Sequence, residues 1–220
     1  MDRLEYAREH RSRYLLWGEQ VARSPYSSAD KMEFALLSAH TLQEAAIRGF
    51  MATRGHYAED ELRYALYRSG VLAAKVKAGR LVRFRREVRH ERLALPECST
   101  LFPSFRKDVK VEGLGYCKMS FGLALSAPLS SPVVCFDTHL CRAFGVKDWS
   151  LYRSLANYER VESLLTQEAQ EANLPPFLYQ WAVWDYMRWY EPPAGVRFAP
   201  DDHSFLWRGG RTKYQTRMEV

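Results

Sequence analysis

The sequence lacks any apolar run approaching the roughly 18 residues needed to cross a bilayer. Its charged beginning (MDRLEYAREHRSRY) holds no apolar core of the kind a secretion signal carries. These absences set the expectation of a cytoplasmic, nucleoid-associated protein with no membrane partner. Paired cysteine motifs are missing too. The four cysteines stand at 98, 117, 135 and 141 without a Cys-x-x-Cys, so neither a zinc nor an iron–sulfur site is suggested, and no metal or other cofactor is expected. Cys117 and Cys135 lie within apolar runs and read as reduced core residues. There is no internal repeat and no convincing strand pattern.

What is present is an ordinary apolar content of 47% over 220 residues, enough for one large globular unit with a real core. The formal charge of +6 rests mostly on arginine and suits a polyanionic partner. Helical periodicity then accounts for most of the chain, so the predicted class is all-α. An amphipathic helix is read over 2–23, closed by Ser24-Pro25. A second runs from Lys31 to about Thr53, with Asp30 as N-cap and Glu33 at the third helical position. Ala58–Tyr67 follows and stops at Ser69-Gly70. Leu72–His90 carries Val76, Leu81, Val82 and Phe84 inside and a basic surface outside. Pro96–Arg106 is a loop or short helix. Later helices are expected over Tyr116–Leu125, from near Asp137, over Trp149–Ala172, and over Pro176–Tyr190 after a Pro-Pro start.

The most informative stretch is Val111–Gly145. Gly113-Leu114-Gly115 forms a turn that opens a helix, and the free amides of such a turn favour an anion. About twenty residues on, Asp137 stands behind Val133-Val134-Cys135-Phe136, a setting costly for a carboxylate without a partner or a task.

Three segments together resemble the helix-hairpin-helix DNA glycosylase superfamily, in its endonuclease III-like branch without the iron–sulfur cluster. They are Leu36-Leu37-Ser38-Ala39-His40-Thr41, then Ser69-Gly70-Val71-Leu72-Ala73-Ala74-Lys75-Val76, then the glycine turn ending in Phe136-Asp137-Thr138-His139. They cover about residues 31–145 in the family's order. The resemblance implies a two-lobed helical fold with a DNA-binding cleft between lobes. The hairpin lobe would span 31–146 and the second lobe 1–30 plus 147–220. The implied partner is double-stranded DNA with a damaged or modified base flipped into the cleft, bound by a monomer.

By the same resemblance, Asp137 matches the catalytic aspartate, and Gly113 and Gly115 match the hairpin glycines that hold a phosphate. Asp137 also reads as the N-cap of its helix, and both roles are compatible. The family's Schiff-base lysine falls at Cys117 here, with Lys118 one residue later. One helical residue rotates a side chain by about 100°, which points away from lyase chemistry and toward Lys118 as a DNA- or substrate-contacting group. His40 stands where the branch has a glutamine that fills the gap left by the flipped base. His139 reads as support for its helix.

Six arginines between Arg80 and Arg92, with Arg83 and Arg86 among them, form a basic track that Arg106, Lys107 and Lys110 could extend. Trp181, Trp184 and Trp189 recur near helical spacing. Core packing is their commoner use, and a base pocket with Asp185 reading a base edge is the sharper one. The function expected is a monofunctional DNA N-glycosylase. A base-modifying transferase of the phage thymine-hypermodifying type and a non-catalytic DNA-binding module stand as alternatives.

Overall fold

The computed structural model describes residues 1–39, 41, 43–146 and 154–190. Their regular elements are eleven α-helices and one short 3-10 turn, Ser99–Leu101, with no strand among the described residues. The helices are α1 (Arg3–Glu9), α2 (Arg11–Ala22), α3 (Ser28–Ser38), α4 (Gln43–Ala52), α5 (Glu59–Arg68), α6 (Ala74–Arg89), α7 (Phe102–Asp108), α8 (Tyr116–Ser126), α9 (Thr138–Ala143), α10 (Leu155–Glu171) and α11 (Pro176–Trp189). The all-α expectation holds. No described helix is long and apolar enough to cross a membrane.

Two helices read as continuous are each divided. The helix over 2–23 breaks at His10, whose backbone (φ −98°, ψ 11°) leaves the helical region. The break lets α1 and α2 both lie against α11. The helix over 31–53 breaks at Ala39, which is extended. Its cause is Lys77 on α6. The buried ammonium donates to the carbonyls of Leu37 (2.8 Å) and Ala39 and to Thr41 Oγ1 (2.6 Å). With the Leu37 carbonyl so engaged, the Thr41 amide bonds to Ser38 O instead. The N-cap also shifts. Ser27, not Asp30, caps α3, and Asp30 returns a bond to the Ser27 amide as the second half of a capping box. Val76, expected inside α6, is 51% exposed, because α6 starts at Ala74 and buries Lys77, Ala78, Leu81 and Phe84 instead.

α3, α4, α5 and α6 pack on one another in turn, while α1, α2, α9 and α10 pack on α11. α8 lies against α3, α2 and α7. Its contact with α3 is the most extensive in the molecule, and Gly122 permits it. A Cβ there would overlap the Met32 sulfur and sit 3.1 Å from Met32 Cα. Buried residues from Tyr6 to Met187 form one continuous apolar cluster, so nearly every helix contributes to a common core.

Candidate functional site

The glycine turn is tight. Leu114 N–H donates to Val111 O at 3.0 Å, and Gly113 takes φ +87°, a left-handed conformation that a side chain would strain. A Cβ there would also come within 2.5 Å of Arg80 Cδ, so α6 lies directly on the turn. Arg83, one helical turn further on, pairs with Glu112 beside Gly113. Gly115 differs. Its backbone (φ −75°, ψ 173°) is extended, open to any residue, and nothing lies within 4 Å of an added Cβ. It is the N-cap of α8 and supplies no side-chain cap, so the first amides of α8 carry none.

Asp137 caps α9, its Oδ1 accepting from the amides of His139 (3.0 Å) and Leu140 (3.1 Å). No described residue donates to Oδ2. The side chain is half-buried. The residues leading to it are fixed amide by amide. Val134 N–H donates to Glu162 Oε1 (2.7 Å), Cys135 N–H to Gln180 Oε1 (2.7 Å), and Phe136 N–H to the Tyr158 hydroxyl (2.8 Å). That hydroxyl donates in turn to Val134 O (2.7 Å). Arg106 completes the frame, reaching both Glu162 oxygens and Ser120 Oγ. The three amides ahead of Asp137 are thus each paired with a side chain, without the segment being part of a sheet.

Lys118, in the first turn of α8, is half-buried with its ammonium 5.2 Å from the centre of the Phe121 ring. Burial disfavours its charge, but Cys135, Cys117 and Asp137 outweigh burial and hold its pKa above the ordinary lysine value. Asp137 is the weakest of these influences and makes no hydrogen bond or ion pair with Lys118 among the described residues. Burial, then Lys118 and Arg80, push the Lys77 pKa down to about 8.

Arg86, Lys107 and Lys110 are exposed, as is Arg83 despite its pairing. Arg106 is not part of any surface track, because it is buried and committed to Glu162. Arg85 is likewise occupied, forked onto Glu33. Trp181 is in the core beside Trp17 and Phe177. Trp184 sits edge-on to His139, with ring centres 5.8 Å apart, and under the Arg188 guanidinium. Asp185 faces α2, accepting from the Tyr14 hydroxyl at 2.8 Å with Arg13 at 4.0 Å. His40 and the Trp189 side chain lie outside the described residues. No three His, Cys, Asp or Glu side chains among the described residues gather as a metal site.

Sequence reasoning passed over Tyr158, Glu162 and Gln180. A signal existed for two of them. Glu162 interrupts the apolar face of α10 made by Tyr158, Val161 and Leu165, and Gln180 interrupts Phe177-Leu178-Tyr179 and Trp181-Ala182-Val183. A polar residue so placed needs a buried partner.

No protein-family profile matches the chain, and no curated protein or solved structure matches it either.

Proposed function

We propose that this chain is a monofunctional DNA N-glycosylase that removes a damaged or modified base. The observation that carries the reading is Asp137 itself, whose Oδ1 caps α9 while no described residue donates to Oδ2, together with the left-handed turn at Gly113 that leads into a helix whose first amides carry no side-chain cap. In this reading the first amides of α8 hold a backbone phosphate, and the exposed Arg86 and Lys110 draw in the duplex. The nucleotide is flipped toward Asp137. As the N-glycosidic bond lengthens, positive charge grows on the sugar and the Asp137 carboxylate stabilises it. The base departs with the bonding electrons and is protonated. Water, oriented by Oδ2, adds to the anomeric carbon and loses its proton to the carboxylate or to solvent.

The position of Lys118, one residue past the family's Schiff-base position, supports hydrolysis over lyase chemistry. Its role here is to sit as a fixed cation near Asp137.

The test is incubation of the purified chain with duplexes bearing a panel of modified bases, followed by mass spectrometry. Released free base is the expected result. A heavier nucleoside with its glycosidic bond intact would place the chemistry with the base-modifying transferases. Asp137→Asn should abolish base release while leaving the fold intact, because asparagine also caps helices well. Full activity in that variant would remove Asp137 from the chemistry.

A further inference from the structure

The sulfurs of Cys117 and Cys135 face each other 3.3 Å apart. Both are free thiols. They belong to separately held pieces of backbone. Cys117 is in the first turn of α8 and half-buried. Cys135 is only 3% exposed, and its amide is anchored on Gln180. The backbone on each side is held, so the two sulfurs meet from fixed Cα positions. The third neighbour is the Lys118 ammonium, whose charge acts on both sulfurs.

We propose that Cys117 and Cys135 are a redox-active dithiol, a modification site at which a hydroperoxide converts the pair to a disulfide. Cys117 is the more accessible sulfur and makes the first attack, as its thiolate. Its sulfur takes the terminal oxygen of the hydroperoxide, the O–O bond breaks, and an alcohol or water leaves. The resulting sulfenic acid is then displaced by the Cys135 sulfur, which forms the S–S bond and releases water. Two thiols are oxidised and one hydroperoxide is reduced. A dithiol reductant reverses the change by exchange.

Bond formation draws the sulfurs to about 2.04 Å, a small movement for side chains already in contact. The bond would tie the helix that Gly115 opens to the segment that ends in Asp137, since Cys117 follows the one by two residues and Cys135 precedes the other by two. The inference stands whether or not the chain is a glycosylase, because its readout is covalent structure rather than activity.

The remaining cysteines provide the control, since Cys98 is exposed and Cys141 half-buried. The reduced wild-type chain and the Cys98→Ser/Cys141→Ser variant are treated with equimolar hydrogen peroxide and quenched by alkylation. Titration of free thiols and peptide mapping without reductant follow. Expected is the joint loss of two thiols, a peptide cross-linked through Cys117 and Cys135 in both proteins, and recovery of both thiols with dithiothreitol. Cys117 carried on to sulfinic acid beside an intact Cys135 thiol would overturn the proposal. So would two unreacted thiols in the variant, or a wild-type cross-link through Cys98 or Cys141 in place of this pair.

Discussion

The Tyr158 hydroxyl takes the amide proton of Phe136 at 2.8 Å and gives its own to the Val134 carbonyl at 2.7 Å, so one side-chain oxygen closes two backbone positions just ahead of Asp137. A buried phenol does here what a neighbouring strand would do in a sheet. Burial pushes its pKa well up, which keeps it protonated and able to donate.

Tyr158→Phe keeps the ring and deletes that oxygen. It leaves the Phe136 amide and Val134 carbonyl buried without partners, at a cost of about 1–3 kcal/mol. Urea unfolding should show a lower midpoint with an unchanged slope. A midpoint equal to wild type would mean the segment is held by packing alone.

Arg106 and Glu162 form a buried ion pair, 2.8 Å between Nη1 and Oε1. Arg106→Met strands a carboxylate that also holds the Val134 amide, and a loss of about 3–5 kcal/mol is expected. Adding Glu162→Gln to that variant removes the uncompensated charge and should restore part of the loss. A double variant no more stable than Arg106→Met would contradict this account of the cost.

The two hairpin glycines should respond differently to alanine. Gly113→Ala forces φ +87° on a residue with a Cβ and pushes against Arg80, costing about 1–2 kcal/mol for the backbone alone. Gly115→Ala meets open space in an extended conformation and should cost about 0.5 kcal/mol as a poorer N-cap. Thermal or urea unfolding of the pair would settle the order, and equal losses would refute it.

His139 supplies a pH signature. Burial lowers its pKa below the ordinary 6.5, Asp137 opposes the shift, and Arg142 and Arg188 reinforce it. The unfolded chain therefore takes up this proton first as pH falls. Its contribution to stability is complete above about pH 6.5 and declines below it until the folded-state pKa is reached, by at most about 1.4 kcal/mol per pH unit. His139→Gln should flatten that part of the stability profile between pH 7.5 and 5.5, as compared by urea midpoints. An unchanged slope would show the histidine to be silent.

Lys118 yields a kinetic expectation. Placed one residue past the family's Schiff-base position, it should form no borohydride-trapped adduct with abasic or modified duplex at neutral pH. An adduct in the wild type that disappears in Lys118→Ala would restore the lyase reading.

Helix content was legible because periodicity and caps are local. Ser69-Gly70 stops α5 and the Pro-Pro start opens α11 where the residues say they should. The break at Ala39 was not legible, since the residue that competes for the Leu37 carbonyl is Lys77, forty positions away. The surface role read for Arg106 failed for the same reason. A basic residue beside Lys107 looks solvated until Glu162 arrives from α10.

By itself the sequence determined the all-α class, a glycine turn over Gly113–Gly115 that opens a helix, and an acid at Asp137 that begins another. Each depends on residues a few positions apart, where backbone geometry and capping chemistry act without help. Tertiary structure alone decided that three polar side chains from α10 and α11 fix the segment ahead of Asp137, and that Cys117 meets Cys135. Those relationships arise when helices distant in the chain bury their apolar faces together, and no spacing along the sequence encodes where their polar exceptions will meet.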